Sequence, residues 1–475
     1  MAKDKEKNKE VTVKMPLVEA LVNFLHSKHI AFHTPGHLGF GASTSIKKLL
    51  GHQLFQADLT ELEGLDSLHE PTGPIQQAQA LAAQAWGSDQ SYFLVNGSTS
   101  GVQAMLLATC APGDVVLLAR NSHRSAIHGL VLSGAIPVWL EPDWNDYLGT
   151  AEGVSLASME KALAAYPQAK ALCLVYPTYY GQVDDLEATI KLAHQKGLTV
   201  LVDSAHGSHF AYHPQLPDCA VALGADLVVH SAHKTLGALT QGAILHRKGQ
   251  RVDPQRLAQA LRMVQTSSPS YPVMASLDAA RAQMVTEGYA GLENVYQQAQ
   301  ALRQKLLSTA YTWVEYPDWT RWTIALEGSG FALETWLALQ HNLHAELVSW
   351  NHVVFLTSYC TPKTHSEQLL YALEHYPLPA GQPMYRPTAL PKIGAQACSP
   401  REAYFAANEA VLWKEAVGRI SAYSVEPYPP GIPVLLPGEV ISQEALDYLE
   451  AVSQAGGTLS GGMAAGCLRV VVEKC

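Results

Sequence analysis

Three short segments each follow an apolar run, and each carries residue types that chemistry uses. Asn96-Gly97-Ser98-Thr99-Ser100-Gly101 comes directly after the run at 91–95 and opens a helical pattern. Glycine lets backbone approach a ligand closely, hydroxyls donate, and a helix N-terminus offers free N–H groups and the positive end of a dipole, so the segment suits a phosphate. A plain N-capped helix after a turn would use the same residues. The segment fits neither G-x-G-x-x-G nor G-x-x-x-x-G-K-[ST], which disfavours a dinucleotide or a nucleoside triphosphate. Asp203 ends the apolar run TVLVD and precedes Ser204-Ala205-His206-Gly207. An acid there lies at the carboxyl edge of a sheet, where open α/β folds place ligands, unless it only caps a helix. Lys234, in Ser231-Ala232-His233-Lys234, follows another apolar run. A buried ammonium is costly unless paired or converted, and a lysine of depressed pKa is what a Schiff base needs; a solvated loop lysine is the ordinary alternative.

Jointly the three segments supply a phosphate cradle, an acid and a lysine at the ends of different strands. Pyridoxal phosphate needs those groups: a lysine for its aldehyde, a carboxylate to keep the ring nitrogen protonated, and an anchor for the phosphate. His123, in Arg120-Asn121-Ser122-His123-Arg124, falls at the same sheet edge, where a flat side chain can stack on a pyridine ring or cap the following helix.

The elements that must position these residues read as a large α/β domain. Seven apolar runs, at 91–95, 115–119, 136–140, 171–176, 199–203, 226–230 and 242–246, are mostly unalternating, as in a parallel sheet covered on both faces. Helical patterns fall at 75–86, 99–110, 123–133, 156–166 and 186–195, and a long one at 277–307 leads out of the sheet. From about Tyr311, WTIALEG, FALETWLALQHNL, AELVSW, VVFLTS and HSEQLLYALEHY predict a small α+β domain. The segment from Pro379 to Pro400 reads as a surface loop and 401–417 as a helix. Tyr423 to Glu439 holds five prolines and cannot be helical, so it is an ordered extended loop or a linker. The expected division is a tail and helix at 1–30, a large domain at 31–308 and a small C-terminal domain at 309–475 that includes the loop 423–439.

Composition narrows the function classes. Lys+Arg at 32 against Asp+Glu at 42 gives a net charge of −10, which argues against a nucleic-acid partner. With 48% hydrophobic and 16% charged residues the chain is globular, and no apolar run approaches a membrane span. The 7 cysteines are scattered without a C-x-x-C pair, so neither a disulfide framework nor a metal site is expected and a reducing compartment fits. The start, MAKDKEKNKEVTVK, lacks the apolar region of a secretory signal, and a cytoplasmic location is expected.

From about Val18 onward the chain resembles the short bacterial form of the ornithine/lysine/arginine decarboxylases, which are fold-type I pyridoxal-phosphate enzymes. The resemblance rests on FHTPGH (32–37), DLTELEGLDSLHEPTGPI (58–75), NGSTSG, RNSHRS, YPTYYG (176–181), DSAHG, SAHKTL, TSSPSY (266–271) and PYPPGIPVLLPGE (427–439). It implies that Lys234 binds the cofactor aldehyde, Asp203 pairs with the ring nitrogen, His123 stacks on the ring, and Ala205 and His206 lie beside it. Gly97, Ser98 and Thr99, with Ser231 and His233, are the implied phosphate residues, and Thr266 or Ser267 would reach the phosphate from a neighbouring subunit. A homodimer, or a small multiple of it, with shared active sites follows. The family's PGHK reads Pro35-Gly36-His37-Leu38 here, so any role of that lysine is missing. The receiver-like N-terminal wing of the large members has no room before Phe32, and their longer C-terminal domain makes substrate contacts transfer poorly.

The implied reaction is decarboxylation of arginine, lysine or ornithine to the corresponding amine, with arginine preferred, and with Lys234 or His206 returning a proton to Cα. For the distal cation, Glu439 is the first expectation and Glu426 the second; both could instead be exposed loop acids. An aminotransferase or aldolase would share the cofactor residues, and Arg386, Arg401 and Arg419 are candidates for the carboxylate clamp that an aminotransferase uses. A catalytically silent relative of the fold is the remaining alternative, against which the intact lysine, aspartate and phosphate motifs argue.

Overall fold

The computed structural model describes residues 13–27, 29–378, 389–429, 431–464 and 466–472. Seven strands form one sheet: β1 (Gln90–Leu94), β2 (Val115–Ala119), β3 (Ile136–Leu140), β4 (Ala171–Val175), β5 (Thr199–Asp203), β6 (Leu227–His230) and β7 (Ala243–Arg247). Their order across the sheet is β1-β7-β6-β5-β4-β2-β3. β2 pairs in parallel with β3 and β4, β4 with β5, and β5 with β6, while β7 runs antiparallel to both β1 and β6. The strands are apolar without alternation because helices cover both faces; β6 is buried at every position and β4 and β5 at all but one.

Packing of these layers is close enough to dictate residue type. A Cβ on Gly101, in helix Gly97–Thr109, would meet Val229 Cγ2 at 2.6 Å and Leu94 Cδ1 at 2.8 Å, so only glycine lets that helix lie flat on the sheet. The 36-residue helix Tyr271–Leu306 then joins two cores. Leu277 and Met284 pack with the large sheet, whereas Val295 and Leu302 pack with Trp322 and Ile324. Beyond it, Tyr311–Val314, Arg321–Leu326, His352–Leu356 and Leu347–Val348 form an antiparallel four-stranded sheet with helices Gly330–His341 and Lys363–His375, the separate small α+β domain.

The region expected as one helix over 401–417 differs. Helix Pro400–Phe405, held by a capping box between Ser399 and Glu402, stops after six residues, and Asn408–Leu412 becomes a strand paired with Cys467–Val471. Partner strand and segment lie about sixty residues apart, and that non-local pairing overrides a helical pattern of ordinary propensity. In the proline-rich stretch, Val425–Tyr428 pairs with Thr458–Gly461 and the remainder is extended. Five described cysteines are free, while Cys398 is disulfide-bonded, a single bond where no disulfide framework was expected. Among the described residues no helix is long and apolar enough to cross a membrane.

Candidate active site

The carboxyl ends of β1, β2, β4 and β5 and the turn after β6 open on one cavity of about 680 Å³. Glu426, Tyr428, Thr458 and Ser460, from the C-terminal strand pair, line its other side. Lys234 sits in the single helical turn Ala232–Thr235 that follows β6, half-buried, with Nζ 3.1 Å from His206 Nε2. That placement separates it from a solvated loop lysine. Burial lowers its pKa, Asp203 works against the shift and Arg321 adds to it.

Asp203 ends β5 and is 8% exposed. Its Oδ1 accepts the Ala205 N–H at 3.1 Å, a turn contact rather than the helix cap that the sequence allowed. Burial raises the carboxyl's pKa, while Lys234 and that N–H pull it down. A buried carboxylate in a cavity wall is stable only against a cationic or N–H partner, which a protonated ring nitrogen supplies. His123 lines the cavity and also caps helix Arg124–Ser133: its Nδ1 accepts the Ser125 N–H at 3.2 Å. Its Nδ1 also lies 2.9 Å from Ser125 Oγ, and the two contacts fix the ring's orientation. Burial, then Lys234, Arg124 and His128, lowers its pKa to about 4, so the ring is uncharged at neutral pH.

Gly97, with φ of 72°, starts helix Gly97–Thr109 and lines the cavity beside Ser98 and Thr99, its own N–H donating to the Gln241 carbonyl at 3.0 Å. Ser231 is fully buried behind them and donates to Ser98 Oγ at 2.7 Å; it supports the cradle without lining the cavity. His233 lines the cavity with Nδ1 2.9 Å from the Gly242 carbonyl. Thr266 and Ser267 are exposed and do not line this chain's cavity, although the Thr266 N–H donates to Asn96 Oδ1 at 3.1 Å, tying their loop to the cradle.

The two acids proposed for a distal cation separate. Glu426 lines the cavity, 8% exposed, with Oε1 accepting Ser424 Oγ at 3.1 Å and Oε2 3.8 Å from Arg124. Glu439, the first expectation, lies outside it. It is 1% exposed, 3.9 Å from buried Arg120, with Oε2 accepting the Leu436 N–H at 3.1 Å, and ties the proline-rich stretch to the end of β2. Burial pushes its carboxyl up to about 7 and also lowers Arg120, so desolvation outweighs their attraction. The clamp arginines do not converge either: Arg401 donates to the Val131 and Leu132 carbonyls and Arg419 pairs with Glu409, while Arg386 lies outside the described residues.

Two residues at the site went unread in sequence. Arg321, at the start of a small-domain strand, donates to His206 Nδ1 at 2.8 Å, and the Tyr179 ring lies 4.8 Å from the His206 ring. The available signal was an arginine opening an apolar strand three residues after an aspartate, the same kind of anomaly that singled out Lys234.

A lysine of lowered pKa, a buried acid, an uncharged ring at the edge and a hydroxyl-rich helix N-terminus fit the aldehyde, ring nitrogen, ring face and phosphate of pyridoxal phosphate. On a mostly parallel seven-stranded sheet they define a fold-type I pyridoxal-phosphate enzyme. The family model for the Orn/Lys/Arg decarboxylase major domain matches residues 15–324, and that for the C-terminal domain matches 383–463. The chain belongs to the Orn/Lys/Arg decarboxylase family and is a pyridoxal-phosphate-dependent decarboxylase of basic amino acids. It is 35% identical to the arginine decarboxylase of Bacillus anthracis over 96% of this chain and 97% of that one. The arginine decarboxylase of Bacillus subtilis is 34% identical over 94% and 95%. In fold it is similar to the constitutive lysine decarboxylase of Escherichia coli, with a TM-score of 0.83 and 22% identity over 97% of this chain and 82% of that one.

Proposed function

We propose that the chain decarboxylates L-arginine to its amine, agmatine, with Glu426 holding the guanidinium. The observation that carries this reading is a carboxylate, nine-tenths buried, in the wall of the cavity that holds Lys234. A planar guanidinium is matched by a bidentate carboxylate, and Glu426 makes one hydrogen bond, from Ser424, with only the half-exposed Arg124 at 3.8 Å beside its other oxygen. The arginine decarboxylases aligned with nearly the whole chain support the same choice.

Pyridoxal phosphate, when bound, supplies the sink for the electron pair that departing CO₂ leaves behind. The chain's residues do the rest. Asp203 would hold the proton on the ring nitrogen, His123 would stack on the ring face, and Ser98, Thr99 and the helix N-terminus would hold the phosphate, backed by Ser231 and His233. Lys234 would be the residue that holds the cofactor through its aldehyde. Lys234 or His206 delivers a proton to Cα, completing the exchange of CO₂ for H⁺.

We also read the active unit as a homodimer in which Thr266 or Ser267 serves the partner's phosphate. Ile30, Phe32, Phe40 and Leu49 are exposed apolar residues of one arm, Phe32 at 96%, and a second copy would cover them. The domain division near 308 draws support from the change of core along helix Tyr271–Leu306, and five free thiols against the one disulfide-bonded Cys398 favour a reducing cytoplasm.

The test is CO₂ release by the holoenzyme offered arginine, lysine, ornithine and a neutral amino acid in parallel, with the amines identified. Agmatine as the dominant product is expected. Preferential formation of the lysine- or ornithine-derived diamine would overturn the arginine assignment.

A further inference from the structure

Arg321 brings a small-domain guanidinium, 2% exposed, to the back of His206. A guanidinium only donates, so the Nδ1 atom 2.8 Å away must present a lone pair. Burial, followed by the charges of Lys234, Arg321, His209 and His123, keeps the imidazole neutral. Its one proton therefore sits on Nε2, 3.1 Å from Lys234 Nζ. An N–H pointing at an amine nitrogen needs a lone pair there, which an ammonium lacks.

We propose that Arg321 is a positioning residue: by donating to His206 Nδ1 it locks the imidazole as the Nε2–H tautomer, which in turn holds Lys234 as a neutral amine. A neutral amine is the form that attacks an aldehyde. The inference rests on Lys234 being the lysine that takes the cofactor.

The supporting structure is built for rigidity. Asp318 is fully buried and does not line the cavity; its Oδ1 accepts His209 Nε2 at 3.0 Å and the Thr320 hydroxyl at 2.6 Å. Arg321 NH1 reaches Thr320 Oγ1 at 3.4 Å, and the Arg321 N–H donates to the Asp318 carbonyl at 3.1 Å. Burial raises the Asp318 carboxyl, yet His209 and Arg321 bring it below the usual carboxylate range, so it stays charged opposite the guanidinium. The groups acting on Lys234 are Asp203, His206, His123 and Arg321, with the charge of Glu346; those facing His206 are Lys234, Arg321, His209, His123 and the Tyr179 ring. Of these, only Arg321 touches Nδ1, and only it selects the tautomer.

The experiment uses the full-length chain freed of cofactor. The pH dependence of Lys234 labelling by an amine reagent is followed by peptide mass spectrometry for the wild type, Arg321→Met and Arg321→Lys. Below the wild-type midpoint, Arg321→Met is expected to label about tenfold more slowly, a midpoint about one pH unit higher, with Arg321→Lys, which still donates, close to wild type. Equal labelling of a folded Arg321→Met protein would overturn the proposal. Should that variant not fold, ¹⁵N spectra of histidine-labelled wild type decide it, with His206 assigned from its loss in His206→Gln: a proton on Nε2 is expected, and a proton on Nδ1 overturns the proposal. Borohydride reduction of the holoenzyme separately locates the cofactor lysine. A tag on a residue other than Lys234 sinks the functional reading, whatever the His206 spectrum shows.

Discussion

The two sides of the cavity are made in different ways. On the sheet side, Asp203, Lys234 and the Ser98-Thr99 pair each stand within five residues of a strand's carboxyl end. Their backbone is fixed by ladders on both sides and by buried apolar neighbours, so their relative positions follow from the sheet. On the opposite side, Glu426 and Ser460 face the cavity from a two-stranded pair closed across about thirty residues of loop and helix. A pair of that size has no independent stability and borrows its position from the C-terminal core around Val425, Leu435 and Leu449. The rigid side suits groups that a cofactor needs unchanged, and the borrowed side is where head-group preference can vary without disturbing them.

Substitutions that address each side should separate those roles. Lys234→Ala is expected to have the largest effect, with CO₂ release in single-turnover assays falling on the order of 10⁴-fold and no borohydride-stable cofactor adduct. Retention of activity within about tenfold would break the comparison at its strongest point. Asp203→Asn should retain the cofactor's absorbance while kcat falls about 10²- to 10³-fold, as for loss of one preorganised electrostatic contact; a change in KM alone would contradict that role.

Glu439 offers a control outside the cavity. Its pKa of about 7 in the fold lies above that of the unfolded chain, so between about pH 4.5 and 7 the native state binds more protons and stability falls as pH rises. Thermal unfolding of wild type against Glu439→Gln should show the wild type losing about 2–3 kcal/mol relative to the variant across that window. The variant's KM for arginine should not move. Glu426→Gln should behave in the reverse manner: a KM for arginine raised about 10- to 100-fold, the worth of a charge-assisted hydrogen bond of about 1.5–3 kcal/mol, and an unaltered melting curve. A Glu426→Gln enzyme with wild-type KM would remove the distal-cation assignment and leave the borrowed side without its specificity role.

Much of the sheet side was legible in sequence because its signals are local. Strands 115–119, 136–140 and 199–203 coincide with the predicted apolar runs, and helix Leu186–Gln195 with its predicted span. His123 satisfied both of its readings at once, capping a helix while lining the cavity. The C-terminal side was less legible. Asn408–Leu412 carries a helical pattern and became a strand because Cys467–Val471 lay alongside it. Glu426 and Glu439 looked alike as loop acids; only packing turned one toward the cavity and closed the other over Arg120. Arg321 carried a local signal, but its partner was unreadable for the same reason, since His206 is 115 residues earlier in the chain.

By itself the sequence determined the α/β architecture, the strand ends that bear Asp203 and Lys234, and the glycine turn at Gly97 that opens a helix at the cavity, because apolar runs and the turns that end them act over a few residues. Tertiary structure decided which acid faces the cavity, that Arg321 stands behind His206, and that 408–412 is a strand. Those outcomes depend on contacts between distant segments, whose burial and hydrogen bonding outweigh local preferences of a few tenths of a kcal/mol per residue.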